Sequence, residues 1–180
     1  MLLHTCCAPC STAVIERLAQ DYEITVLYYN PNIYPNEEYL KRKNEQIRYI
    51  GILNDKGLKI DYLDCDYNQN EFFDAVKGLE TEPEGGKRCS VCFAIRLDFV
   101  GKMAKEKGFD IFTTSLTVSP HKNAQIINEI GQNLSNKYGV EYLVSDFKKK
   151  DGYKRSIVLS KENNIYRQNY CGCKYSIWWN

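Results

Sequence analysis

Short β-branched runs alternate with stretches of helical period along this sequence, and that alternation leaves few architectures open. Ile24-Thr25-Val26-Leu27-Tyr28-Tyr29 has the β-branched and aromatic enrichment of a buried strand. Similar runs predict strands over 1–4, 59–63, 111–113 and 141–144. Helices are predicted over 13–20, 37–53, 71–79, 92–107, 124–138 and 156–163. Pro31 and Pro35 make 30–35 a loop, since neither can serve a ladder or a helix interior. Pro83, Gly85 and Gly86 make 80–88 a loop that delivers Cys89, with Cys92 opening the next helix and Gly108 closing it. Strands joined by crossover helices give an α/β fold: a Rossmann-like, mostly parallel sheet with helices on both faces. In such sheets chemistry gathers in the loops leaving the carboxyl ends of the strands. Cys6, Cys7 and Cys10 fall in the first of those loops.

A chain of 180 residues can bury about 70% of its unfolded surface in one core. No linker or internal repeat divides it, so residues 1–180 read as a single domain. With 43% apolar and 26% charged residues, disorder, collagen and coiled coil are excluded. No apolar run approaches the roughly 20 residues of a bilayer-spanning helix, so no membrane partner is expected. Met1-Leu2-Leu3-His4-Thr5-Cys6 lacks the basic start and apolar stretch of a signal peptide. The expected location is cytoplasmic, where structural disulfides are rare.

That compartment sharpens the meaning of the eight cysteines. Seven fall in three clusters: Cys6-Cys7-Ala8-Pro9-Cys10, Cys89-Ser90-Val91-Cys92 and Cys171-Gly172-Cys173. Cys65 stands alone and reads as a small apolar side chain. Close thiolates repel unless a metal or a disulfide takes up the charge. A structural zinc on Cys7, Cys10, Cys89 and Cys92 and a redox iron–sulfur cluster each use four thiolates, and the residues alone leave both open. The redox reading gives Cys171 and Cys173 work as an exchangeable dithiol. At a helix start, Cys92 is expected to gain thiolate character.

The net charge of +1 conceals an asymmetry. The basic, aromatic segment 146–180 holds eight Lys/Arg against three Asp/Glu, with Tyr153, Tyr166, Tyr170, Tyr175, Trp178 and Trp179 interleaved. Cations among aromatics suit phosphate neutralisation and base stacking; a solvated face with packed aromatics is the plainer alternative.

The motifs also resemble a family. His4-Thr5-Cys6-Cys7-Ala8-Pro9-Cys10-Ser11 with Asn30-Pro31-Asn32-Ile33 is similar to the opening of the cobalamin-independent epoxyqueuosine reductases. Leu79-Glu80-Thr81-Glu82-Pro83-Glu84-Gly85-Gly86-Lys87-Arg88-Cys89 through Cys92 resembles their middle motif. Phe112-Thr113-Thr114-Ser115-Leu116 with Ser119-Pro120-His121-Lys122-Asn123 resembles the next loop. Arg155-Ser156 and Tyr166-Arg167-Gln168-Asn169-Tyr170-Cys171-Gly172-Cys173-Lys174-Tyr175-Ser176 resemble the closing segment.

The resemblance implies a nucleotide α-hydrolase-like (HUP) sheet and reduction of epoxyqueuosine to queuosine at the wobble position of tRNA. It implies a [4Fe–4S] cluster on Cys6, Cys7, Cys89 and Cys92, with Cys10 replacing Cys6 or holding an additional iron ion, and no cobalamin. It makes Cys171 and Cys173 the catalytic, redox-active pair, fed by an external electron donor. Asp66 and His121 are then candidate proton donors, and His4 supports rather than ligates. Lys148, Lys149, Lys150, Lys154, Arg155 and Arg167 would meet tRNA phosphates, with Tyr170 or Tyr175 near the base. The competing function is a zinc-stabilised tRNA-binding module without redox activity.

Overall fold

The computed structural model describes residues 1–179, with side chains through Ser176; the Trp178 and Trp179 side chains and Asn180 lie outside the described residues. Among the described residues the strands are β1 (Leu2–His4), β2 (Ile24–Leu27), β3 (Ile60–Leu63), β4 (Ile111–Thr114) and β5 (Glu141–Tyr142). They pair in the order β3-β2-β1-β4-β5, every pairing parallel.

Period-two alternation sorts the core. Leu2 faces a layer with Phe93, Leu97, Val100, Phe112 and Ile127, while Leu3 faces another with Val14, Ile15, Val26 and Ile50. The helices α1 (Ala8–Leu18), α2 (Asn36–Asp55) and α6 (Gly152–Glu162) cover the Leu3 side, α6 packing on α1. The Leu2 side is covered by α4 (Lys87–Glu106) and α5 (Ala124–Tyr138). Leu2 and Leu3 are fully buried, each stabilising by about 1.5–3 kcal/mol. The parallel α/β sheet predicted from the alternation is the one observed. No helix is long and apolar enough to cross a membrane among the described residues.

Several boundaries differ from the sequence-based expectation, and two matter for chemistry. Helix α1 starts at Ala8, not near 13, because Pro9 in the first turn lacks only an N–H that has no helical partner there. Cys10 is therefore helical. Helix α4 starts at Lys87, with Gly86 as its N-cap, so Cys89 is not in a loop and Cys92 does not open the helix. Gly86 packs closely: a Cβ there would lie 2.6 Å from Glu82 Oε2, which could swing aside, and 3.1 Å from Pro83 O, which would have to give slightly. Of the smaller differences, β2 ends at Leu27, α3 spans Gln69–Ala75 and α6 starts at Gly152.

Strand order places the site. From β1 the chain crosses to β2 on one side, while β4 lies on the other. The crevice beyond the carboxyl ends of β1 and β4 is thus the switch point of the sheet.

Candidate functional site

The chain leaves β1 at His4 and turns through Thr5 and Cys6 to Cys7, the N-cap of α1. The early helix start folds Cys10 back onto this turn. The Sγ atoms of Cys6, Cys7 and Cys10 lie within 4.8 Å of one another, Cys6 and Cys7 buried and Cys10 half-buried. The Cys6 and Cys7 sulfurs are 3.7 Å apart.

Hydrogen bonds from Cys10 and Cys7 hold Cys6 well below the ordinary thiol range. Burial pushes Cys7 up to about 11, and the neighbouring Cys6 drives Cys10 up as well. The triad therefore accepts one negative charge readily and resists the second and third. Three buried thiolates would need a cation among them, and sulfur donors suit a thiophilic metal, so the triad could hold one. Among the described residues it is the one group of three or more His, Cys, Asp or Glu side chains with ligand atoms this close. Gln168 Nε2 donates to Cys7 Sγ at 2.8 Å. Burial works against the charge of Lys122, but negative charge on the Cys6 and Cys10 sulfurs outweighs it and raises its pKa.

Cys89 and Cys92 approach from α4, three residues apart and outside that triad. Burial pushes Cys92 up to about 11 and raises Cys89 also, which overturns the expected thiolate character of Cys92. In the second turn, Cys92 is beyond the free N–H groups that would have favoured charge.

The dithiol comes from the far end of the sequence. Arg42 on α2, fully buried, donates from Nη1 to Cys171 O (3.0 Å) and from Nη2 to Tyr170 O (3.3 Å). Its Nε pairs with Glu38 at 2.6 Å, and its guanidinium sits 4.9 Å from the Tyr170 ring centroid. Tyr34 N–H donates to Gly172 O at 2.8 Å, and Ile33 bridges to Cys173. Gly172 has φ +102°, and a Cβ there would meet Arg42 Nη1 at 2.9 Å. Hydrogen bonding between the two thiols holds Cys171 well below the ordinary range and pushes Cys173 up.

Two cavities join the clusters. One of about 350 Å³ is lined by Cys10, Cys171, Lys122, Arg167, Gln168 and Tyr170, among others. A second of about 40 Å³ is lined by Cys89, Cys92, Cys171 and Cys173. Cys171, Lys122, His121 and Glu84 line both.

The remaining candidates divide. His121 faces the cavities, whereas Asp66 is exposed beyond β3 and lines neither. His4 Nε2 donates to Tyr29 O (3.0 Å) and Nδ1 lies 2.9 Å from Thr114 Oγ1, so both ring nitrogens are engaged. Cys65 is half-buried, its thiol donating to Tyr28 O at 3.2 Å. Tyr170 lines the large cavity; Tyr175 instead packs near Phe72 and Phe73 with Arg88 over its ring.

Much of the basic segment is internally paired. Arg155 makes two bonds to Glu16 (2.6 and 2.9 Å), Lys148 pairs with Asp146 (2.9 Å) and Lys154 with Asp151 (3.1 Å). Lys149 lies 4.0 Å from Asp146, and Arg167 bonds Ser160 Oγ at 3.1 Å while facing the large cavity. Sequence reasoning gave no role to Arg42, Lys122 or Gln168. Lys122 and Gln168 stand inside the recognised motifs, and Glu38–Arg42 has helical i,i+4 spacing, the local signals that could have found them.

The family model described as epoxyqueuosine reductase QueH matches residues 1–178. The epoxyqueuosine reductase QueH of Staphylococcus epidermidis is 48% identical, covering 98% of this chain and 75% of the relative. Its namesake in Streptococcus pyogenes is 49% identical over 98% of this chain and 69% of the relative. The Thermotoga maritima protein of the same name is 37% identical over 98% and 90%. A full-length family match and relatives at this identity bear out the resemblance carried by the cysteine motifs: the chain belongs to the epoxyqueuosine reductase QueH family.

Proposed function

We propose that this chain reduces epoxyqueuosine to queuosine at the wobble position of tRNA. Two electrons and two protons convert the epoxide to an alkene and release its oxygen as water. The observation that carries this reading is that a close thiol triad, through Cys10, and a Cys-Gly-Cys dithiol line two cavities that share Cys171, Lys122, His121 and Glu84 at the sheet's switch point. A zinc-stabilised binding module has no use for the second pair.

In this proposal Cys6, Cys7, Cys89 and Cys92 hold a [4Fe–4S] cluster, and Cys10 takes the place of Cys6 or holds an additional iron; no cobalamin is required. Such a centre supplies Lewis acidity and electrons when bound. The protein's own part is to receive the base in the large cavity, with Tyr170 as a stacking face and Arg167 as a cation for phosphate or hydroxyl. Lys122 and His121 stand at the shared wall, where an alkoxide would take its proton. Cys171 and Cys173 cycle between dithiol and disulfide, with an external donor restoring the thiols. Residues 1–180 act as one domain with a sheet of the HUP type and a basic, aromatic segment over 146–180, and the setting is the cytoplasm.

The test is purification without oxygen, a visible spectrum, and conversion of epoxyqueuosine-bearing tRNA. Broad absorption near about 400 nm with conversion supports the proposal. Colourless protein containing one zinc and giving no conversion sinks it.

A further inference from the structure

Electrons consumed at the dithiol must be replaced, and the two sulfurs differ in how they can be reached. Cys171 is half-buried and lines the cavity of about 350 Å³. Cys173 is 6% exposed and borders only the space of about 40 Å³. The turn is pinned against rotation, because Gly172 O is bonded to Tyr34 N–H, Cys173 pairs with Ile33, and Arg42 holds the Cys171 carbonyl.

We propose that Cys171 is the sulfur attacked by the external reductant, a low-molecular-weight anionic thiol that reaches it through the same cavity as the substrate, and that Cys173 is the sulfur released. This rests on the reading of Cys171 and Cys173 as the redox-active pair. A thiolate RS⁻ attacks Cys171 of the disulfide, forming an RS–Cys171 bond and breaking the bond to Cys173, which leaves as a thiolate. A second RS⁻ attacks the R-side sulfur, giving RSSR and the Cys171 thiolate. The two thiols are oxidised, the protein disulfide is reduced by two electrons, and solvent supplies the protons.

Two effects compete in choosing the sulfur: leaving-group stability and access. The Cys173 N–H points at Cys171 Sγ (3.4 Å) and favours charge there, which would make Cys171 the better leaving group. That route needs a nucleophile in line with Cys173, which is buried and absent from the lining of the larger cavity, so access decides. Lys122 and Arg167 in the wall of the large cavity favour an anionic thiol. Substrate and reductant then exclude each other, and turnover is ping-pong.

The test uses metal-loaded Cys173→Ser and Cys171→Ser, each compared with the double variant for background and checked for an unchanged visible spectrum. Dithionitrobenzoate, a chromogenic disulfide, should label Cys171 in the first variant about tenfold or more faster than Cys173 in the second. Saturating tRNA should suppress the labelling of Cys171. Oxidised wild type treated with mercaptopropionate and quenched in acid should carry the adduct on Cys171. Equal labelling rates, faster labelling of Cys173, or an adduct on Cys173 overturns this proposal while leaving the dithiol reading intact. A wild-type protein that forms no Cys171–Cys173 disulfide on oxidation overturns both. Reduction by a protein dithiol alone, with mercaptopropionate inert, overturns the small-thiol assignment.

Discussion

Cysteines at the two ends of the chain are held by different means. Cys6, Cys7 and Cys10 are set by regular structure, a central strand running directly into a helix, with Cys7 O accepting the Ser11 N–H. Cys171 and Cys173 stand in irregular chain, and their anchors are remote: Arg42 reaches Cys171 O across 129 positions. The first arrangement follows from the frame of the sheet, whereas the second depends on a few side-chain latches. Losing one latch should therefore disturb the dithiol and spare the triad. One bond ties the two regions directly, Gln168 Nε2 to Cys7 Sγ.

The largest effect should come from the frame-held sulfurs. Cys7→Ser is expected to remove most bound iron and sulfide and to abolish epoxide reduction, since hydroxyl is a poor ligand for soft metal. Cys89→Ser and Cys92→Ser should do the same. Cys171→Ser and Cys173→Ser should keep the metal and bind tRNA but lose multiple turnover, because a lone thiol cannot close the disulfide. Metal analysis beside multiple-turnover assays separates the two classes; full metal in Cys7→Ser or full turnover in the dithiol variants breaks the contrast.

Next come the latches. Arg42→Gln should destabilise the protein by about 2–4 kcal/mol, since it leaves the half-buried Tyr170 and Cys171 carbonyls and Glu38 short of their buried cation. Gly172→Ala should cost about 1–3 kcal/mol, the range for a side chain forced into a positive-φ conformation. Both should retain the triad's metal while slowing disulfide formation at 171–173. Urea unfolding with metal analysis reads the two effects, and metal loss equal to dithiol loss would show the regions are not separable.

The same contrast explains what the sequence reveals. The parallel α/β sheet is readable because burial on both faces favours β-branched and aromatic side chains along β2 and β4, Thr25, Thr113 and Thr114 included. The cysteine clusters are readable because close thiols carry a chemical cost wherever they fold. The starts of α1 and α4 were hidden by Pro9 and by the Pro83-Glu84-Gly85-Gly86 run, which suggest loop while marking a first turn and an N-cap. Arg42 and Gln168 escape because the cysteine-bearing partners that give them a role are distant in sequence; the Arg42–Cys171 and Gln168–Cys7 bonds span 129 and 161 positions. Arg155 read as a free cation for the same reason, its partner Glu16 lying 139 positions away.

Acid should loosen the latched region first. Glu45 on α2 accepts the Tyr166 N–H at 2.7 Å, and Arg48 bonds Glu45 together with the carbonyls of Asn163 and Asn164. Arg48 is the main cause that holds the Glu45 carboxyl below its ordinary 4.5. A depressed folded pKa means the unfolded chain binds the proton more readily. The contribution is present above the ordinary value and is lost as pH falls through the lower folded one. Amide exchange near 163–166 should therefore rise below about pH 4.5 before exchange in β1 does, and Glu45→Gln should show that rise at neutral pH. Simultaneous loss of protection in β1 and the segment would remove the distinction.

The smallest effect concerns the cations of the segment and tests whether pairing within the protein predicts pairing with RNA. Arg155 is engaged twice by Glu16 and lies 3.9 Å from Glu162, whereas exposed Lys150 has no ion-pair partner among the described residues. A phosphate drawing on Arg155 must displace a bidentate carboxylate; one drawing on Lys150 displaces only water and salt. Each phosphate contact adds close to one counterion to the salt slope of binding. Lys150→Ala should therefore flatten the dependence of log K on log salt by about one unit, and Arg155→Ala by about zero. Titrating wild type and both variants with tRNA across a salt series measures the difference. Slopes flattened by about one unit in both variants would show that tRNA takes Arg155 from Glu16, and slopes equal to wild type in both would place the phosphates elsewhere.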